Sequence, residues 1–185
     1  MASTIQVDNI KDIGGNTIIS SNGSGTFTSN LPSSGGITEA DTWRLNTTFS
    51  GDAAPITANW ERDDTDGYGN IGTGMSQSSG VFTFPSTGIY LITNNFQFFT
   101  AAGGSPFQGL MTRTTTNNSS YSYATESYVM ISSNYNNGAN TFMFDVTDTS
   151  THKVKFSYYV NGATILKGSS DVNYTHFTFI RLGDT

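Results

Sequence analysis

The sequence predicts an all-β fold, and three observations support this. The chain has 185 residues, of which 28 are Thr, 23 Ser and 17 Asn, and its aromatic content reaches 13%. Thr and aromatic residues favour strands, whereas Asn, Ser and Gly favour turns. From about residue 40, nine or ten short β-prone segments follow one another between turn signals, and no segment predicts a helix longer than one turn. This spacing is typical of sandwiches and jelly rolls.

The strand predictions rest on side-chain alternation. "KVKFSYYV" is a clean period-two segment, with Val154, Phe156, Tyr158 and Val160 on one face. Turns are predicted at "AAGGSP", "TNNSS", "NYNNGA", "TDTSTH", "NGA" and "KGSSD". The predicted strands in chain order are "TWRLNTTF", "ITANW", "GVFTF", "GIYLITNNFQFF", "QGLMTRT", "YSYATESYVMIS", "NTFMFDVT", "HKVKFSYYVN" and "NYTHFTFIRL".

Residues 1–36 differ from residues 37–185 and are predicted to be an extended N-terminal arm. Three β-prone snippets, "STIQVDNI", "NTIIS" and "GTFTS", precede a hinge-like "LPSSGG". Their apolar residues are too few for an independent core, so the alternatives are a disordered leader and an arm that becomes ordered on a partner. Several isoleucines favour the arm. The candidate docking residues are Ile5, Val7, Ile10, Ile18, Ile19 and Phe27.

The bulk chemistry excludes several classes of function. The formal net charge is −6, and the eight Lys and Arg residues are scattered, which argues against nucleic acid and anionic membranes as partners. Without cysteine there is no disulfide or thiolate metal site. No apolar run is long enough to span a membrane, and no secretion signal is visible, so we expect synthesis in a cytoplasm.

Some predicted strands are apolar on both faces, which predicts an oligomer. In "IYLITNNFQFF", one face carries Tyr90 and Ile92, and the other carries Ile89 and Leu91. Likewise, Ile180 lies on the face opposite Phe179, and Met143 lies on the face opposite Phe142. A sheet that exposes one face to water carries polar residues on that face. We therefore expect a second copy of the chain to cover the second apolar face. The alternative is a central position in a thick two-sheet core. The interface candidates are Tyr90, Ile92, Phe96, Phe98, Phe142, His176, Phe177 and Phe179.

A G-x-G-x-x-G occurs at Gly67, Gly69 and Gly72. A dinucleotide site needs a strand before these glycines and a helix after them. The charged run "ERDDTD" precedes them, and "SQSSGVFTFPSTGIY" follows with closely spaced helix breakers. We therefore interpret the motif as an inter-strand loop. With two histidines and no local catalytic motif, the chain is not expected to be an enzyme, and no cofactor is predicted.

Two binding features remain open. Asp63, Asp64 and Asp66 are hard oxygen ligands within four residues, either a calcium loop or a solvated acidic turn, although EF-hand spacing and a closing Glu are missing. Loops rich in Tyr, Ser and Asn combine aromatic anchors with adaptable hydrogen bonding. They predict contact with a glycan or a protein, or they are ordinary turn and strand-edge residues. The ligand-loop candidates are Tyr121, Tyr123, Tyr128 and Tyr135.

One stretch resembles a known family. "SSGVFTFPSTGIYLITNNFQF" carries a Phe-x-x-Pro-x-x-Gly-x-Tyr pattern at Phe82, Pro85, Gly88 and Tyr90, and "FTFIRLGD" follows near the C-terminus. These segments resemble the globular head of complement component one-q, which shares the tumour necrosis factor (TNF) jelly roll. The resemblance covers about residues 40–185 and implies a ten-stranded jelly roll that forms a homotrimer.

The first segment has a looser resemblance. "STIQVDNIKDIGGNTIISSNGSGTF" is similar to N-terminal segments of short virion proteins in tailed bacteriophages. The resemblance implies a virion structural protein, either a capsid decoration or a short fibre, located on the virion surface. Its arm is expected to dock to a capsid or tail protein, and its head to project for stabilisation or host binding. The alternative is a secreted bacterial adhesin or lectin-like protein with the same trimeric head.

Overall fold

A computed structural model describes residues 7–29, 36–101, 105–131 and 134–185, with the backbone alone at residues 29, 105 and 106. All regular secondary structure in these residues is β-strand, which confirms the all-β prediction. The chain divides into two compact units, residues 1–36 and 37–185. None of the described residues belongs to a helix that could cross a membrane.

The described part of the first unit is a three-stranded antiparallel meander. Its strands are β1 (Asn9–Lys11), β2 (Thr17–Ser21) and β3 (Phe27–Ser29), in the order β1-β2-β3. The turn between β1 and β2 is closed by Asp12, whose Oδ1 accepts a hydrogen bond from the Asn16 amide at 2.8 Å. The expectation of an extended arm is wrong for residues 7–29, because these snippets pair with one another.

The second unit contains twelve strands in its described residues. They are β4 (Ala40–Leu45), β5 (Thr47–Ser50), β6 (Trp60–Arg62), β7 (Ser76–Ser78), β8 (Val81–Thr83), β9 (Gly88–Thr100), β10 (Ser105–Thr115), β11 (Ser122–Ile131), β12 (Asn134–Val146), β13 (Lys153–Tyr159), β14 (Thr164–Ser169) and β15 (His176–Gly183).

These strands form two antiparallel sheets that pack into a jelly-roll sandwich. One sheet has the order β11-β10-β13-β8-β7. In the other, the order is β5-β14-β9-β15-β4-β6, and β12 pairs with the remaining edge of β9. The described residues of this unit thus contain twelve strands, whereas ten were predicted. Because β9 is 13 residues long, β14 pairs with its far end beyond the end of β15, and β5 pairs with β14.

The core between the sheets is dominated by aromatic rings. Phe156 packs against Phe177 with ring centroids 4.3 Å apart, and Trp60 stands edge-on to Phe82 at 4.8 Å. Offset and edge-to-face contacts of this kind add to the free energy gained from burial. The fully buried apolar residues include Leu45, Ile56, Phe82, Ile92, Phe98, Leu110, Val146, Val154, Phe156, Leu166 and Phe177.

Three predicted boundaries are wrong. "TWRLNTTF" splits into two strands at Asn46, because β4 pairs with β15 and β6 whereas β5 pairs with β14. Ile56 is buried, but of "ITANW" only Trp60 enters a strand, since Asn59 adopts a positive φ of 62°. "NYNNGA" is the first half of β12 rather than a turn, because it pairs in register with β9 from Asn134↔Thr100 onward.

The Phe-x-x-Pro-x-x-Gly-x-Tyr pattern has a structural explanation. Gly88 is the first residue of β9 and has a φ of 141°, which favours glycine. A Cβ there would lie 2.5 Å from the carbonyl oxygen of Gly183 and 2.5 Å from Nε of Arg181. Tyr90 then enters the core, and its hydroxyl donates to the carbonyl oxygen of Ser86 at 3.1 Å.

We predict that Gly88→Ala lowers the free energy of unfolding by about 1–3 kcal/mol, through the strained φ and the clash with β15. The measurement is chemical denaturation of the full chain. Gly183→Ala is the matched control, since a Cβ there would meet nothing within 4 Å. Equal stability of the two variants would contradict this explanation.

Candidate functional site

The predicted interface residues lie mostly in the core of the single chain. Tyr90, Ile92, Phe96, Phe98, Phe177 and Phe179 are each at most 1% exposed, and their prediction as interface residues is wrong. Phe142 is registered with Ile92, so it lies on the same inner face and packs partly against the core. The two-sheet sandwich covers this face internally, as in the alternative of a thick core. His176 is the exception and lies on the outer face.

The second face of these strands carries an apolar stripe. Leu91 pairs with Met143 of β12 and with Ile180 of β15. Ile180 pairs with Ala40 of β4, which forms an isolated bridge with Ile71. Paired residues share one face of a sheet, so these five side chains form one row across the outer face. We call this row, residues 40, 71, 91, 143 and 180, the apolar stripe.

The stripe is accessible at both ends. Met143 is 63% exposed and Ile71 is 45% exposed, while Leu91, Ile180 and Ala40 are half-buried. A parallel row of threonines, Thr141, Thr93, Thr178 and Thr42, flanks one side through the same pairings. Five residues spaced by about 4.8 Å give the stripe a length of about 19 Å. An apolar row of this length suits contact with another sheet surface better than contact with water.

Sequence reasoning identified part of this stripe. Leu91, Ile180 and Met143 were visible as the second apolar face of their strands. Ala40 and Ile71 were missed, because each is a single apolar residue in a polar stretch. Only the cross-strand register places them beside the others, and no local signal predicts that register.

The described arm candidates have their apolar side chains largely uncovered. Val7, Ile10 and Phe27 are exposed, and Ile18 and Ile19 are half-buried on β2. Ile5 lies outside the described residues. A meander of this size cannot form a closed core, since units below about 40 residues usually need a partner, a metal or disulfides to fold stably.

The candidate tyrosines do not form one loop cluster. Tyr123 and Tyr128 lie on β11, and Tyr121 directly precedes it. All three contact neighbours in the five-stranded sheet: Lys155 lies over Tyr121, Arg113 over Tyr123, and Phe107 stacks on Tyr128 with centroids 4.1 Å apart. Tyr135 lies on β12 in the other sheet. Their assignment to loops is therefore wrong for Tyr123, Tyr128 and Tyr135, whereas their binding role stays a prediction.

The acidic loop is neutralised by a buried arginine. Arg44 is 1% exposed; it donates from Nε to Glu61 at 2.7 Å and from Nη1 to Asp63 at 3.2 Å, and it also pairs with Asp64. Burial lowers the pKa of the Arg44 guanidinium, but Glu61, Asp64 and Asp63 outweigh burial and raise it. The loop after β6 is thus held against the outer face of β4.

This arrangement does not assemble the predicted calcium ligands. Asp63 and Asp64 direct oxygens to Arg44, and Asp63 also accepts a hydrogen bond from Asn173 at 2.6 Å. Asp66 is exposed. Across the described ranges, no three His, Asp or Glu side chains are grouped so that they could hold a metal. Calcium stays a prediction without a converging set of ligands.

The G-x-G-x-x-G segment is a loop, as interpreted from sequence. It lies between β6 and β7, with positive φ at Gly67 and Gly72 and no helix after it. The loop is tied down where the Tyr68 hydroxyl donates to Asp41 at 2.7 Å. Burial, together with the neighbouring Asp41, raises the pKa of Tyr68 to about 12, so this hydroxyl stays protonated. Gly67 and Gly72 serve chain reversals in this loop.

Comparison with known proteins shows the fold. No family model matches the sequence, and no curated protein matches it. Among solved structures, murine APRIL at pH 8.5 superposes with a TM-score of 0.57 at 15% identity, over 78% of this chain and 98% of that chain. Eiger TNF from S. frugiperda superposes with a TM-score of 0.58 at 13% identity, over 81% and 96%. The second unit is therefore a TNF-like jelly roll.

A third similar structure is the PRD1 vertex protein P5, with a TM-score of 0.48 at 16% identity, over 80% of this chain and 100% of that chain. This similarity is too weak to support an inference about a virion. At these identities the comparisons establish the architecture alone, so the activity must be argued from the surfaces of this chain.

We predict that the Arg44 cluster makes stability acid-sensitive through Asp63. Burial alone would raise the pKa of Asp63, but hydrogen bonds from Thr65 and Asn173 and the charge of Arg44 together lower it below the ordinary 3.8. The stabilisation is therefore complete above the unfolded-state pKa and is lost as the pH falls through the lower folded-state value.

The measurement compares wild type with Asp63→Asn by chemical denaturation between pH 7 and pH 2.5. At pH 7 the variant should lose about 1–3 kcal/mol of unfolding free energy, and the difference should shrink below about pH 4. Asp66→Asn, which changes an exposed carboxylate of the same loop, is the control. A difference that does not vary with pH would contradict the assignment.

Proposed function

We propose that this chain is a non-enzymatic bacteriophage virion structural protein, a capsid decoration or short appendage. Its N-terminal unit docks to the particle, and its TNF-like head projects for stabilisation or host-surface binding. The observation that carries the proposal is the first unit, a meander whose described apolar side chains are exposed or half-buried. Such a unit gains stability when a partner covers it. The resemblance of this segment to phage virion proteins supports a capsid or tail protein as that partner.

We further propose that the head self-associates through the apolar stripe, and that the assembly is the homotrimer implied by the family resemblance. Three stripes facing one axis would remove Leu91, Ile180 and Met143 from water. Each of these side chains is already partly covered, so the gain is on the order of 1–2 kcal/mol each. The neighbouring threonine row offers hydroxyls for hydrogen bonds at the rim of the contact.

The alternative function, a secreted bacterial adhesin or lectin-like protein with the same trimeric head, is favoured by the exposed aromatic residues of the five-stranded sheet. Tyr123 and Tyr128 are exposed on β11. This alternative uses the same head and differs in what the first unit binds. Association of the first unit with phage particles distinguishes the two functions.

The first prediction concerns oligomeric state. Light scattering of the purified chain should give about three times the subunit mass of 19.9 kDa. Met143→Asp, combined with Leu91→Asn, should shift the mass toward one subunit, because both changes place polar groups in the buried contact.

Met130→Asp is the matched control, since Met130 is 72% exposed on β11 of the other sheet. Circular dichroism checks that the variants fold. A wild-type monomer at micromolar concentration, or a trimer that tolerates the Met143 and Leu91 changes, would refute the proposed contact.

The second prediction concerns the first unit. A chain lacking residues 1–36 should remain folded and oligomeric, because the core lies within residues 37–185, but it should no longer join particles. Incorporation is measured by electron microscopy and by the protein content of purified particles. A less severe variant, Ile10→Ser with Phe27→Ser, should reduce incorporation without altering the melting temperature of the head. Normal incorporation of the truncated chain would rule out the docking role.

A further inference from the structure

A polar groove opens on the seven-stranded sheet, beside the loop between β14 and β15. Its volume is about 410 Å³, within the size range of small-molecule sites. It is lined by Asn95, Phe96, Gln97, Asn137, Gly138, Asn173, Tyr174 and His176. Four of these eight residues carry a carboxamide, and none of the eight is an Asp, Glu, Lys or Arg.

Internal hydrogen bonds fix the orientation of this lining. The carbonyl oxygen of Asn173 lies 3.0 Å from Nδ1 of His176, which places the proton on Nδ1. Nε2 of His176 then accepts from Nδ2 of Asn95 at 3.2 Å. On the opposite wall, Nε2 of Gln97 donates to Oδ1 of Asn137 at 2.9 Å. The walls are therefore held in place before a ligand arrives.

These bonds leave one half of each carboxamide unused within the described residues. Oδ1 of Asn95 and Oε1 of Gln97 remain as acceptors, and Nδ2 of Asn137 remains as a donor. The side-chain oxygen of Asn173 is buried and is not open to the groove, while its Nδ2 donates to Asp63. The polar atoms open to a ligand are therefore those of β9 and β12.

We propose that this groove binds a neutral saccharide. Hydroxyl groups both donate and accept, and they match a site that offers unused acceptors on β9 and an unused donor on β12. None of the lining residues is an Asp, Glu, Lys or Arg, and the nearby Asp63 is engaged by Arg44 and Asn173, so the lining favours a neutral ligand over a charged one. An extended peptide would require apolar pockets for its side chains, and the exposed walls here are polar.

The groove is separate from the apolar stripe. Asn95 follows Leu91 by four residues on β9, which corresponds to about 13 Å along the strand. The proposal rests on the host-surface role of the head, but the groove can be tested without the particle. Of the tyrosine candidates, Tyr123 and Tyr128 lie on β11 of the other sheet, whereas Tyr135 lies on β12, two residues before Asn137.

The experiment titrates the full chain with neutral oligosaccharide fragments of dextran, mannan and galactan, and with acidic fragments of hyaluronan and alginate. Binding is followed by saturation-transfer NMR and calorimetry. At least one neutral fragment should bind in the micromolar to millimolar range, and the acidic fragments should not. Gln97→Leu, which keeps the side-chain size and removes the amide, should weaken binding at least about tenfold, the loss of one or two polar contacts.

Two controls locate the site. Asn70→Ala removes an exposed carboxamide outside the groove, and Tyr128→Ala removes an aromatic ring on the opposite sheet; both should bind as wild type. Loss of binding in Tyr128→Ala but not in Gln97→Leu would overturn the groove assignment. The absence of binding to every neutral fragment, or equal binding of the acidic fragments, would also overturn it.

Particle incorporation separates this inference from the proposed function. Gln97→Leu should join particles normally. If Gln97→Leu forms monomers or fails to join particles, the groove is an assembly contact and the saccharide proposal is wrong. If the wild-type chain binds a neutral saccharide but never joins particles, the virion function fails and the groove assignment stands.

Discussion

Side-chain alternation along β9 is the constraint on which the rest of this head depends. From Gly88 to Thr100, every second residue is buried and the intervening residues are half-buried, without a break over 13 residues. A strand of this length supports β12 along one edge, and β15 and then β14 along the other. Its inner face thus organises the aromatic core, while its outer face carries both the apolar stripe and part of the groove.

The Arg44 cluster has a complementary role on the outer face. Taking an arginine and a carboxylate such as that of Asp63 out of water is costly unless their charges and hydrogen bonds are well matched. Here the match uses the loop after β6, and Asn173 connects that loop to the segment before β15. Charge pairing therefore holds together two surface segments that belong to distant parts of the sequence. The position of the groove wall depends on this connection.

The sequence predicted the fold class well because composition, alternation and the pattern around Gly88 and Tyr90 all agree. It separated the two apolar faces of the central strands, but it could not tell which face the sandwich covers. A period of two divides the residues of a strand into two faces, but it does not show which face points into the sandwich. The core residues Ile92 and Phe177 are for this reason predicted to contact a partner chain. Arg44 was also missed, because its partners lie 17 to 20 residues away and only register brings them together.

The groove shows another limit of sequence reasoning. Asn137 was interpreted as part of a turn because Asn and Gly dominate that stretch, whereas pairing with β9 extends the strand through it. Strand propensity is a weak predictor where a long neighbouring strand, here β9, provides backbone pairing along the whole segment. The groove brings together Asn95, Asn137 and Asn173, which lie on three separate segments. No local spacing in the sequence predicts that they meet.

The first half of β12 has a consequence for behaviour at high concentration. In the described residues, β12 pairs only with β9, so its other edge presents unpaired backbone groups. Such an edge invites strand addition by a stray chain, yet residues 134–140 are mainly Asn with one Gly, which are poor strand formers. Among the other outer strands, β5, β6 and β7 have three or four residues, whereas β11 has ten. Strand addition where many copies are crowded together is therefore disfavoured at every edge except that of β11.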